Sequence, residues 1–188
     1  MVRVELSRRL EAAVAERVVR PVVERIAEDL REEAARRAPD GSRWETAEDE
    51  RVRLSHAEAD GQVVPDNLRF RLPAVAYVRK GRGRDGKALN PAGGWKLTAG
   101  WDLARRPGDP DLPLHQRVNC RCRAVRVPGA VASSIVAGPA VVEGARVTAQ
   151  VWTEFPRAAE SEFGTGGDRA ARFMRGALEE VSRRYPRR

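Results

Sequence analysis

The sequence is short of cysteine, of lysine and of long apolar runs, and each shortage closes off a class of protein. Two cysteines in 188 residues cannot staple a disulfide-dense miniprotein. No stretch approaches the roughly 18 consecutive apolar residues that a membrane-spanning helix needs. The opening run MVRVELSRRL lacks the apolar core of a secretory signal, so neither a membrane partner nor secretion is expected. Only Lys80, Lys87 and Lys96 are lysines among 35 basic residues. Arginine excess alongside abundant Ala, Gly and Pro matches GC-rich coding, so arginine content alone argues little for nucleic-acid binding. Catalytic patterns are missing as well. There is no nucleophile elbow, no Ser-His-Asp order and no paired-carboxylate motif, and an enzyme is not expected.

What is present is an uneven charge on a chain that can fold. The length suits one domain or two small ones, and a hydrophobic fraction of 41% supports a core. The formal net charge is +8. Residues 1–42 carry nine basic and nine acidic side chains, residues 43–127 seventeen and eleven, and residues 128–188 nine and seven. The middle third therefore holds +6 of the excess. Within it, Arg69, Arg71, Arg79, Lys80, Arg82, Arg84 and Lys87 face only Asp85. Such a segment can track phosphates or meet an acidic partner surface.

Periodicity divides the chain at the same places. Leu6, Leu10, Val14, Val18, Val22, Ile26 and Leu30 predict a long N-terminal helix whose apolar stripe winds, because a four-residue step overshoots one turn. Pro21 should kink that helix or start a second one, and Ala38-Pro39-Asp40-Gly41 should end it. From Ser42 to Pro128 the chain is rich in Gly and Pro and irregular, with Ala74–Val78 as one candidate strand. After Pro128, Val131–Val136 is a candidate strand, and 140–143 with 146–155 around Gly144 predicts a hairpin. Asp168 is the expected N-cap of a last helix that places Phe173, Met174, Ala177, Leu178 and Val181 on one face. The expected class is α+β: a long N-terminal helix, a small antiparallel sheet and a C-terminal helix, with a large irregular Gly/Pro-rich insertion. The expected domains are 1–42 with 128–188, a discontinuous core, and 43–127.

Gly81-Arg82-Gly83-Arg84-Asp85-Gly86 satisfies G-x-G-x-x-G, but Lys87–Pro91 cannot supply the helix a dinucleotide needs. A flexible basic loop fits better. Metal chemistry rests on Cys120-Arg121-Cys122 with His56 and His115. Thiolates and imidazoles suit zinc, and a closed site would take His56, Cys120, Cys122 and either His115 or Asp60. Otherwise these are buried thiols beside a hydrogen-bonded histidine.

Trp44-Glu45-Thr46, Asp49-Glu50-Arg51-Val52-Arg53, Ser55-His56, Asp60-Gly61, Phe70, Pro107-Gly108-Asp109 and Val118-Asn119-Cys120-Arg121-Cys122 form ordered islands over about 80 residues. This middle segment resembles the Mu-F-like phage head morphogenesis (minor head protein) family, without the long helical region that usually precedes the motif. The flanks carry Ala38-Pro39-Asp40-Gly41, Glu162-Phe163-Gly164-Thr165 and Ala171-Arg172-Phe173-Met174-Arg175-Gly176-Ala177-Leu178. They resemble the neck or tail-completion (head–tail connector) proteins of long-tailed phages, except that the usual Arg-Leu-x-x-Ser after the turn is missing. Together the resemblances imply a structural virion protein, made in the host cytoplasm and placed at the head–tail junction. They imply a homo-oligomeric ring touching portal or adaptor and tail-terminator proteins. Glu162, Phe163, Gly164, Thr165, Phe173, Met174 and Leu178 would serve core and assembly, and the 69–87 segment would contact a neighbouring ring or the packaged DNA. The alternatives are a DNA-binding protein that uses the basic segment and a zinc-dependent enzyme.

Overall fold

The computed structural model describes residues 8–78, 94–165 and 167–186. The chain divides into two compact units, Met1–Asp40 with Gly129–Arg188, and Gly41–Pro128. The first unit opens on a helix in three pieces: α1 (Arg8–Val14), a π-helical turn (Ala15–Val19) and α2 (Arg20–Arg37). Pro21 explains the turn. It has no N–H for the Arg17 carbonyl, and its ring crowds that carbonyl. The backbone widens just before it, and the Arg20 N–H bonds back five residues to the Ala15 carbonyl. The proline therefore bulges a continuing helix instead of ending it. The apolar stripe splits in two. Leu30 packs with Ala34 in the core, whereas Leu10, Val14, Val18 and Val22 stand between 40% and 60% exposed. Leu6 lies outside the described residues. α2 ends as Ala38 turns extended ahead of Pro39. Its one buried acid, Glu33, is ringed by Arg36, Arg37 (2.7 Å) and Arg184 (3.1 Å). Arg36 foremost, then Arg37, holds its carboxyl down at about 2.

In the second unit β1 (Gly41–Glu45) is the centre of a three-stranded antiparallel sheet. After α3 (Leu54–Ala59), β2 (Val63–Pro65) pairs with one edge of β1, and the strand Arg123–Val127 with the other. β3 (Phe70–Val78) and β4 (Gly94–Ala104) form a long antiparallel pair, from Phe70 opposite Ala104 to Val78 opposite Gly94, with a bulge between Pro73 and Val75. The short α4 (Leu114–Arg117) and β5 (Arg123–Val127) complete the unit. Trp44, Val64, Phe70, Leu72 and Leu112 form its core, and the Trp44 ring meets Phe70 edge-on at 5.3 Å. A partly buried polar chain ties α3 and α4 to β4: the Ser55 hydroxyl donates to Gln116 Oε1 at 2.6 Å, and Gln116 Nε2 donates to Asp102 at 3.0 Å.

The chain returns to the first unit at Gly129, whose N–H bonds the Asp40 carboxylate at 2.8 Å. A 3-10 turn (Ala132–Ser134) occupies the first half of the candidate strand, and β6 starts only at Ile135 (Ile135–Ala137). β7 (Val141–Glu143) and β8 (Arg146–Thr148) form the hairpin around Gly144. Its expected second arm is broken, and β9 (Val151–Thr153) pairs with β6 instead. α5 (Ala158–Phe163) and α6 (Phe173–Arg184) follow. α6 begins five residues after Asp168, and the left-handed Arg172 at its N-cap gives no side-chain cap. Glu162 does that work from α5. Its Oε2 accepts the Met174 N–H and its Oε1 the Arg175 N–H, both at 2.9 Å, two of the amides a helix start leaves without partners. Gly164 makes the return possible: at φ +75 a Cβ there would sit 2.6 Å from the Asp168 carbonyl oxygen. α6 buries Phe173, Ala177 and Val181, the first two against Ala34, Val131 and Ile135, but Leu178 points away, 55% exposed. The class is α+β, with small antiparallel sheets and helices at both ends. Among the described residues no helix is long and apolar enough to cross a membrane.

Candidate metal centre

His56, Cys120 and Cys122 come together in the second unit. The His56 Nδ1 lies 3.3 Å from the Cys122 sulfur and 3.6 Å from the Cys120 sulfur. One ligand atom from each of the three falls within 4.8 Å of the other two. Neither cysteine is in a disulfide. The group can hold a metal ion.

Three separate stretches of chain build it. α3 carries His56, and the Trp44 ring of β1 stands edge-on to the imidazole at 5.3 Å. Cys122 directly precedes β5, whose pairing with β1 sets Arg123 opposite Glu45. It packs on the same core as Trp44. Between the cysteines and α4 the chain must reverse, and Asn119 does so at φ +53, a conformation that asparagine tolerates better than most residues. The Cys120 N–H closes that turn on the Arg117 carbonyl at 3.2 Å.

Ion pairs then pin the loop. Arg121 meets Asp49 at 2.5 Å, Arg123 meets Glu45 at 2.8 Å, and Arg53 donates to the Val118 carbonyl. Asp49 is held below the usual carboxylate range chiefly by its hydrogen bond from Arg121. The separated islands Trp44–Glu45, Asp49–Arg53, His56 and Val118–Cys122 are thus one constellation.

The two thiols titrate as a pair. Cys120 is shifted down, first because Cys122 hydrogen-bonds its thiolate and then through His56. Cys122 is shifted up by the same neighbour and by burial. A divalent ion that takes both sulfurs needs both as thiolates, so its binding would be coupled to proton release. His56 is 1% exposed; its buried Nε2 has no hydrogen-bond partner among the described residues, and its Nδ1 faces the two sulfurs.

The expected fourth ligand is not in the group. His115, on α4, stacks on Trp95 with ring centroids 4.5 Å apart. The Asp60 carboxylate accepts the Thr46 N–H at 2.7 Å and serves the turn after α3. Of the basic segment, Arg71 lies on β3, where its backbone N–H and carbonyl bond the Gln62 side chain at 2.9 and 3.2 Å. Arg69 immediately precedes β3. Arg79, Lys80, Arg82, Arg84 and Lys87 lie outside the described residues, as does the G-x-G-x-x-G run. Glu162, Gly164, Phe173 and Met174 belong to the α5–α6 return. Thr165 donates to Glu160 at 3.5 Å, and Phe163 is 63% exposed beneath the Arg175 guanidinium.

Sequence reasoning missed the clamps made by Asp49, Arg53 and Asn119. Their signal was only that each sits in a short island on the way to the cysteines. It also missed that Tyr77 of β3 and Trp95, Leu97 and Trp101 of β4, paired with Tyr77, Val75 and Pro73, share one exposed face of the β3–β4 hairpin. Comparison with protein-family models, with curated proteins and with solved structures returned no match.

Proposed function

We infer that the chain is a structural, non-enzymatic component of a tailed-phage particle: a head–tail connector or neck subunit that assembles as a ring between portal and tail. The observation that carries this reading is the row Val14, Val18 and Val22 on the N-terminal helix, each between 40% and 60% exposed. A helix that leaves an aliphatic edge in water is built to be covered on assembly. The resemblances of the flanks and of the middle segment supply the kind of particle, and virion localisation follows from it.

Size-exclusion chromatography with light scattering, followed by electron microscopy and by mixing with purified portal and tail parts, tests it. Rings, or a complex with either neighbour, are expected. A chain that stays monomeric and joins neither would refute it.

Zinc is the ion that two thiolates and an imidazole fit best. His56, Cys120 and Cys122 would hold it, and it would supply structural cross-linking of α3 to the strand β5. The clamped loop and the buried imidazole orient the donors without the ion. Metal analysis of the purified chain tests this, and absence of zinc would also remove the premise of a zinc-dependent enzyme.

DNA contact is a second reading, favoured by the aromatic face of Tyr77, Trp95 and Trp101 on the hairpin that the basic segment connects. Exposed aromatic rings beside cations can stack on bases and neutralise phosphates. Replacing Arg79, Arg82 and Arg84 with serine should weaken DNA binding and flatten its salt dependence. Unchanged affinity would reject that site.

A further inference from the structure

His56, Cys120 and Cys122 supply three donors, whereas a closed structural zinc site takes four from the protein. Among the described residues no further histidine, cysteine or carboxylate joins the group. Both candidates for the place are engaged elsewhere, His115 against the Trp95 ring and Asp60 on the Thr46 N–H. What borders the group instead is a recess. His56 and Cys122, two of the three ligand residues, line it together with Arg51, Arg53 and Arg121. We propose that the fourth coordination position opens into this recess and takes a small, exchangeable anion. The proposal rests on the metal reading above and names the chemistry of the ligand that the chain itself does not provide.

Exposure places the opening. The imidazole is buried, at 1% exposed, but both cysteines are half-buried. Solvent therefore reaches the group from the side of the sulfurs, where the recess lies. An open position of this kind is what separates a zinc site that exchanges a ligand from one that only braces a fold.

Size limits the ligand. The recess holds about 10 Å³, the scale of a single water. It admits one small ligand, or one end of a short linear one, and nothing the size of a side chain or a nucleotide.

Charge selects an anion. Two thiolates cancel the two positive charges of a zinc ion, and His56 would bind as a neutral imidazole, so the donor set leaves no net charge. The lining does. Three arginines border the recess and no carboxylate does. Arg121 meets Asp49 at 2.5 Å, outside the lining. Arg53 donates to the Val118 carbonyl, a neutral acceptor that leaves its charge in place. An excess of fixed cations beside a partly desolvated position favours a negative ligand over a neutral one.

The full chain loaded with cobalt(II) in chloride-free buffer tests this, with azide as the anion and imidazole as the neutral donor. Thiolate-to-cobalt charge-transfer absorption reports that the cysteines hold the ion. Azide should then shift the visible cobalt bands saturably. Arg51→Ala should weaken azide roughly three- to tenfold, the effect of one unit charge acting through a partly screened site, and change imidazole by less than about twofold. Arg51 is exposed, and the substitution keeps its backbone bond to Asp49, so circular dichroism should be unchanged. Arg51→Gln serves as a second variant should alanine disturb the loop. Charge-transfer absorption with bands that azide never moves overturns the open position and leaves the metal reading standing. Azide affinity that Arg51→Ala leaves unchanged, or lowers no more than that of imidazole, overturns the recess as an anion site. Absence of the charge-transfer absorption overturns the metal reading itself, and the open position with it.

Discussion

Glu162→Ala should be among the most damaging single changes to the first unit, and the structure says by how much. Glu162 is 6% exposed and spends both carboxylate oxygens on the second and third amides of α6, Met174 and Arg175, at 2.9 Å each. The helix has no cap of its own. A hydrogen bond to a charged acceptor contributes about 1.5–3 kcal/mol, and losing an ordinary N-cap costs about 1 kcal/mol. The carboxylate also faces the positive end of the helix dipole, worth up to about 2 kcal/mol when partly buried. These contributions overlap, so the loss should be about 3 kcal/mol rather than their sum. For a unit of about 100 residues, each kcal/mol moves the midpoint by roughly 4–8 °C, which places the shift near 12–24 °C. Glu162→Gln keeps the volume but can accept from only one amide, turning its own N–H groups toward the other, and should fall between wild type and alanine. Thermal unfolding followed by circular dichroism at pH 7 reads all three. An alanine variant within about 0.5 kcal/mol of wild type, the range of an ordinary surface substitution, would refute the remote cap. So would a glutamine variant as stable as glutamate.

Gly164→Ala should cost about 2–4 kcal/mol, because its Cβ would press on the Asp168 oxygen at 2.6 Å and the Ala170 nitrogen at 2.9 Å at a positive φ; a midpoint shift in thermal melts checks it. Purified chain should carry roughly stoichiometric zinc by elemental analysis, His56→Ala and Cys122→Ser should be strongly substoichiometric, and zinc at 100 times its Kd should stabilise the Gly41–Pro128 unit by about 2.7 kcal/mol. The first unit should lose stability as pH falls from 4.5 toward about 2. The Glu33 carboxyl is depressed from 4.5 to about 2, so its contribution is complete above the unfolded value and disappears through the folded one. Glu33→Gln should be weaker at pH 7 and flatter across that window in acid-denaturation curves.

Long-range periodicity made the ends of the chain legible. The N-terminal helix and the buried face of α6 follow from the spacing of Leu30, Phe173, Ala177 and Val181, and the hairpin turn follows from Gly144. Periodicity misled where a residue's partner lies elsewhere in the chain. Asp168 looks like a cap because it precedes a helical pattern, yet the acid that caps α6 is Glu162, twelve residues before Met174. Leu178 fits the face by spacing but stands one step beyond the strip that α2 covers. In the middle segment the strands are short or mostly exposed, so their alternation is weak: β2 has three residues, and most of β4 faces solvent. The metal group was legible in His56, Cys120 and Cys122, because ligand chemistry marks itself in a sequence. The expected fourth ligand is not in the group, because His115 stacks on Trp95 and Asp60 serves the turn after α3.

The +6 surplus of residues 43–127 is concentrated further within that segment. Residues 43–127 carry seventeen basic and eleven acidic side chains, but residues 79–93 alone contribute five and one. The rest of that segment holds twelve and ten, a surplus of two. Several of those twelve are engaged locally: Arg121 with Asp49, and Arg43 and Arg123 with Glu45. The body around the metal group is close to charge-balanced, and its arginines act as clamps on a loop rather than as a field. The surplus that remains lies in the connection between β3 and β4, next in sequence to Tyr77 and Trp95. A salt-sensitive partner of the second unit should therefore depend on those five cations more than on the arginines around the cysteines.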